Sequence, residues 1–401
     1  MKTQTLRAVA AACALALFSG AASAANLGPA TEVAPGVKDS RQQVWPAAAW
    51  CESAKMWLVV WREGLLNEQE TDIWCVRVSA EGKPLDPAGV RVTGAKGVQD
   101  HPSVASDGKG FFIVWEDLRS DKDYDVYGAR VSAEGKVLDA DGALVAGGEH
   151  NQCRPTVAFS PSAGPSATSS GPSGSGQAGG SYSVAWQGFA GDGLDGDGKT
   201  GYRIFGATVS TDGKAGSAAV LVDLSAPGMQ QWAQPICPLV ASTAKGAVLA
   251  FAQARNDLAL YGVAMLPLAG AAGKPCWLSS LREWKASDPA PAALAWGNDA
   301  GVFVGRDNRE ITAWRLDASG QAGAPEPLLA SPHPAKAHAT PVMPHLGLAF
   351  DGERYLLVFE EMEVVGLAGG KVRVKGLHLP AAGKLKGVAD QRQGVGVVYP
   401  R

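Results

Sequence analysis

The chain has 401 residues, enough for one large or two ordinary domains, with 19% charged residues and a formal net charge of only -3. No basic excess is present to follow a phosphate backbone, which argues against a nucleic-acid partner. Gly 50 and Pro 25, without sustained helical spacing of Leu, Glu and Lys, favour a β protein rich in turns.

Residues 1–24 read as a secretory signal peptide. Lys2 and Arg7 form a positive start, Ala8 to Phe18 an apolar stretch, and Ala22-Ser23-Ala24 a small-residue cleavage site. That stretch is too short to span a bilayer and no later one is long enough, so no transmembrane segment is expected. Residues 25–401 are therefore expected to form a single exported domain, periplasmic or extracellular, acting as a monomer. Five cysteines follow the leader: Cys51, Cys75, Cys153, Cys237 and Cys276. An odd number leaves at least one thiol unpaired within the chain, and none has zinc-ligand spacing. They read as small residues in strands, with room for one or two disulfides and no pairing assigned.

The repeat is clearest between Ser106 and Asp139. Pro102 to Ala105 is a short strand turning at Asp107-Gly108, and Phe111 to Trp115 is a dense run of β-formers suited to a buried strand. Asp125 to Val131 alternates as the next strand. Glu134-Gly135 turns the chain, and Lys136-Val137-Leu138 is expected to start the last strand. Weaker copies of this four-stranded meander return along the chain. The buried strand recurs with its Trp115-type position at Trp61, Trp186, Phe251, Val304 and Phe359, a spacing of 53 to 71 residues.

A recurring unit of four strands predicts an all-β fold, a β-propeller, because one meander cannot bury both faces but a blade packed between two neighbours can. The count is six four-stranded antiparallel blades, over residues 44–99, 100–152, 153–231, 232–284, 285–340 and 341–401. The Pro/Gly/Ser-rich stretch 161–180 is an insertion in the third copy and reads as disordered. A terminal strand should close the ring. Thr31 to Val37 is expected to form the outer strand of the last blade or to pair beside Val395 to Tyr399.

The pattern Trp115-Glu116-Asp117-x-Arg119 followed by Asp125 to Val131 resembles the propeller-type repeats of exported bacterial proteins of unassigned function. The copy from Trp61 to Val78 matches well, and the later ones drift. The resemblance implies the fold and carries no activity with it.

Chemistry is expected on the face that holds the inter-blade loops and the loops between second and third strands. In the third copy Asp192, Asp195 and Asp197, separated by glycines, could supply oxygen ligands to Ca²⁺, though the spacing departs from an EF-hand loop and a solvated turn fits as well. No cofactor is otherwise required. Asp117 and Arg119 have counterparts in other copies, such as Glu63 and Glu361, and so read as scaffold holding one blade to the next. The inter-blade segments offer His101, His150, Trp232, Trp284 and His338 as ligand-binding candidates, aromatic and polar groups suited to a glycan or a protein. No catalytic residue is assigned, since no nucleophile motif occurs and no carboxylate pair stands out. The expectation is a non-catalytic binding or scaffolding module; a polysaccharide-acting hydrolase or lyase and a calcium-stabilised structural propeller are the alternatives.

Overall fold

The computed structural model describes residues 31–32, 42–64, 69–161, 180–190, 201–223, 235–243, 246–255, 258–266, 276–278, 292–297, 299–306, 310–330, 345–364 and 370–381. The signal peptide, most of the 161–180 insertion and the segment 395–399 lie outside them.

All regular structure among the described residues is β. After β1 (Thr31–Glu32), the chain forms successive antiparallel meanders. The first is β2 (Gln42–Cys51), β3 (Met56–Gly64), β4 (Asp72–Ser79) and β5 (Val90–Arg91). The second is β6 (Gln99–Ser106), β7 (Gly110–Asp117), β8 (Asp125–Ser132) and β9 (Ala143–Ala146). The third comprises β10 (Gln152–Ser160), β11 (Ser181–Ala190), β12 (Gly201–Ser210) and β13 (Ala219–Val222). The fourth comprises β14 (Pro235–Thr243), β15 (Gly246–Arg255), β16 (Leu258–Leu266) and β17 (Cys276–Trp277). The fifth is β18 (Ala292–Trp296), β19 (Gly301–Arg306), β20 (Glu310–Leu316) and β21 (Glu326–Ala330). The last three strands, β22 (Leu346–Phe350), β23 (Arg354–Val364) and β24 (Gly370–Pro380), share a sheet with β1 in the order β1-β24-β23-β22. There Thr31 pairs with Gly376 and Glu32 with Lys375.

These four-stranded sheets are the blades of a propeller, and their packing explains the sequence. The described apolar core consists of clusters that each lie between two neighbouring sheets. One of them joins Ala48, Trp57 and Val59 of the first sheet to Leu356, Val358 and Val374 of the last. The second strand of a blade is covered on both faces, so Phe111 to Trp115 is apolar throughout and almost wholly buried, where a strand with one wet face would alternate. Gly128 keeps its place opposite this strand because a Cβ there would stand 2.6 Å from the Phe112 ring.

Two expectations need correction. The strand begun at Lys136 is only an isolated bridge between Val131 and Val137, and the outer strand of that blade is β9, further along the chain. Arg130 explains the detour: its guanidinium and backbone N–H donate to the Asp139 carboxylate at 2.7–2.9 Å, pinning the turn before the outer strand can start. In the fifth copy the Trp115-type position is Gly305, one residue beyond Val304. Val304 pairs with Ala293 and packs toward the following sheet, as Val114 pairs with Ser103 and packs toward its own successor.

Candidate functional site

The first strands of neighbouring sheets, β2, β6, β10, β14, β18 and β22, contact one another in turn and surround a cavity of about 170 Å³. Most of its wall is Pro, Ala, Val and Leu. Beside the Ser103 and Thr156 hydroxyls, five larger side chains bring other chemistry into the lining: Trp45, His101, Arg154, Cys237 and His345.

Four of these occupy the same backbone position in successive blades. The ladder between first and second strands breaks at Val44/Ala47, Asp100/Ser103, Cys153/Thr156 and Ile236/Leu239, which is the register shift of a β-bulge. Inside each bulge one residue adopts positive φ: Trp45 at 58°, His101 at 50°, Arg154 at 50° and Cys237 at 52°. Each precedes a proline, Pro46, Pro102, Pro155 or Pro238. A non-glycine residue in this region costs roughly 1–3 kcal/mol and turns its side chain out of the strand's alternation. The fold accepts that cost four times at one rim, and each time it aims a different side chain.

Carboxylates stand behind this ring. His101 Nδ1 lies 2.7 Å from Glu116 Oε1, and His345 Nδ1 lies 2.7 Å from Glu360 Oε1. The partners are fifteen residues apart in both pairs, on the first and second strands of one blade. Glu116 and Glu360 are buried, at 5% and 3% exposure. Each also grips the next blade: Arg154 N–H donates to Glu116 Oε2 at 2.6 Å, and Trp45 N–H to Glu360 Oε1 at 2.5 Å. Gln187 does the same with an amide oxygen, accepting from Cys237 N–H at 2.8 Å. At the matching position the first blade has Arg62, 3.9 Å from Asp100, and the fourth has Ala252, which offers only a methyl. Burial by itself would raise the Glu116 carboxyl. The His101 charge, its hydrogen bond and the Arg154 N–H outweigh burial and hold that carboxyl below its ordinary value.

Trp45 sits between the two imidazoles. Its ring stacks on His345 with centroids 3.1 Å apart and is tilted against His101 at 3.7 Å. The Arg154 guanidinium carbon lies 5.3 Å from the Trp45 ring centre, and Arg154 Nη1 donates to Cys237 Sγ at 3.3 Å. His101 Nε2 is buried without a hydrogen-bond partner. Asp100, His101 and Glu116 bring ligand atoms within 4.8 Å of one another, the arrangement among the described residues that could hold a metal ion.

Of the sequence candidates, His101 lines this cavity. His150 does not: it lies in the connection between β9 and β10, half-buried, with its ring edge-on to Phe189 at 5.7 Å. Trp232, Trp284 and His338 fall outside the described residues, as do Asp192, Asp195 and Asp197 of the calcium expectation. Asp117 is scaffold, though within its own blade: it accepts from Trp115 Nε1 at 2.8 Å and pairs with Arg119 at 2.6 Å. Sequence reading missed Trp45, Arg154, Cys237 and His345. The residue that varies ahead of a recurring proline is the signal that marks the first three of these. Cys51, Cys75 and Cys153 are free thiols. Among the described residues no helix is long and apolar enough to cross a membrane.

No family model and no curated protein matches the chain. Solved structures do. The α-L-arabinofuranosidase Arb93A from Fusarium graminearum, as a point mutant with an iminosugar inhibitor, has 14% identity and a TM-score of 0.56, covering 88% of this chain and 98% of that one. The same family-93 enzyme with arabinobiose gives 13% identity and 0.55, with the same coverage. A family-43 enzyme from Xanthomonas citri gives 12% and 0.44, covering 88% of this chain and 91% of that one. The expectation of a non-catalytic module is corrected by these matches, since those of them with a TM-score above 0.5 are of an α-L-arabinofuranosidase. At these identities what the chain shares with the arabinofuranosidase is the propeller fold.

Proposed function

We propose that this protein is an exported glycan-acting hydrolase built on six blades, closed by Thr31–Glu32 as the outermost strand of the last blade, with its site at the channel mouth. The observation that carries the reading is the convergence of two histidine–carboxylate pairs, His101–Glu116 and His345–Glu360, on either side of Trp45 at one cavity. The likeness to an arabinofuranosidase, one solved with arabinobiose, adds support at the level of fold.

Cleaving a glycosidic bond needs a proton for the departing oxygen and a base for the attacking water. In each pair the carboxylate engages the Nδ1 edge of an imidazole and fixes its orientation, leaving Nε2 for proton transfer, at His101 from a nitrogen that is buried and unpartnered. One pair would act as acid and the other as base, with the indole of Trp45 offering a flat face to a sugar ring.

Sugar release from arabinan, xylan and pectic polysaccharides by the wild-type protein tests this directly. Glu116→Gln and Glu360→Gln should each lower kcat/KM by about a hundredfold or more, with folding checked by thermal unfolding. Failure of the wild-type protein to release sugar from any of these substrates would sink the hydrolase reading.

A further inference from the structure

We infer that the glycan taken at this mouth carries an anionic group, a carboxylate or a sulfate, and that Arg154 recognises it. The inference rests on the glycan-acting reading of the same site, and it concerns what binds there rather than what is cleaved.

The charge of the lining points this way. Its polar side chains are a guanidinium, two imidazoles, a thiol, the Trp45 indole and the hydroxyls of Ser103 and Thr156, which accept from backbone N–H groups of the next blade, and the described lining contains no Asp or Glu. The nearby acids are Glu116 and Glu360, buried behind the histidines where His101, His345 and backbone N–H groups engage them, and Asp100, which accepts from the His101 N–H and faces the Arg62 guanidinium at 3.9 Å. On the surrounding rim Asp72 pairs with Arg91, Asp121 with Lys96, and Asp117 with Arg119, so cations offset much of the acidic character of those loops.

Arg154 is also built in rather than draped over the surface. The bulge fixes its backbone at φ 50°, its N–H is tied to Glu116, and its guanidinium stands 5.3 Å from the Trp45 ring. On the cavity side Nη1 donates to the Cys237 sulfur, a weak acceptor that an oxyanion would displace. A planar guanidinium binds a carboxylate or sulfate through two parallel hydrogen bonds, which a neutral hydroxyl cannot match. The indole next to it would take the apolar face of the same sugar ring.

Calorimetric titration separates the alternatives, using galacturonate oligosaccharides for the carboxylate, a sulfated galacto-oligosaccharide for the sulfate, and arabino-oligosaccharides as neutral sugars. At least one acidic probe should bind more tightly than the neutral one and lose affinity with added salt. Arg154→Gln should weaken that binding about ten- to hundredfold. Arg154→Lys, which keeps the charge and loses the fork, should fall between, and it tests the same point should the glutamine variant fold poorly. Equal or tighter binding of the neutral sugar, acidic binding untouched in Arg154→Gln, or no acidic binding at all would each overturn the inference. Cleavage is scored separately. Acidic sugars that bind through Arg154 and are never cut would refute the hydrolase reading alone, whereas acidic sugars cut at the wild-type rate by Arg154→Gln would refute this one alone.

Discussion

Glu116 does two jobs through its two oxygens, holding the His101 ring with one and the backbone of the next blade with the other. Both are stronger with the ionised form, and together with the His101 charge they hold the carboxyl below its ordinary value despite burial. The sign of the pH dependence follows. A carboxyl depressed in the folded state contributes stability above its unfolded value of about 4.3, and this contribution disappears as pH falls through the lower folded value. Thermal unfolding followed from about pH 3 to about pH 7 should therefore lose a distinct acid-side slope in Glu116→Gln. An unchanged slope would mean that the carboxyl gains nothing from its partners. At this scale the site was hardly legible in the sequence. Periodic reading finds what recurs, and the rim is made of what does not: Trp45, His101, Arg154 and Cys237 take one position with four chemistries. His101 was found because it stands beside Asp100 in a polar segment. Arg154 was passed over because a single arginine beside a cysteine looks like any other strand start.

At the scale of a strand, the repeat is a set of fastenings. In β7 the buried Asp117 carboxylate accepts from the Trp115 indole and from Arg119, whose guanidinium also lies 3.8 Å from the Tyr127 ring centre. Removing that carboxylate leaves an arginine and an indole N–H without their partner. Asp117→Ala should accordingly cost about 3 kcal/mol or more, read as a fall in the urea midpoint, while Asp121→Ala in the exposed Lys96 pair should cost less than about 1 kcal/mol. Comparable losses for the two would show that burial is not what gives the first its value. The strands themselves were legible because they are doubly covered: the run Phe111 to Trp115 has no polar break to confuse with a helix or an amphipathic edge. Their ends were harder. The outer strand of the second blade was misplaced because the Arg130–Asp139 pair, nine residues apart in sequence, delays it.

For the whole molecule, the propeller was legible because each blade must repeat the same apolar pattern to meet two like neighbours, and every described interface between sheets is filled by such residues. The interfaces are not fastened equally. Glu116, Gln187 and Glu360 each bridge to the following blade across the channel rim, whereas Ala252 has nothing to offer its successor. A propeller under thermal agitation has to part somewhere first, and among the junctions whose side chains are described, that of the fourth and fifth blades lacks this clasp. Amide hydrogens of β18 should then exchange faster than those of β6 or β10, as deuterium uptake would report. Placing a glutamine at Ala252 would be the direct way to slow them. The propeller thus has a preferred point of opening, set away from the arc where Trp45, His101 and Arg154 meet, so that breathing of the fold need not disturb these residues at the cavity.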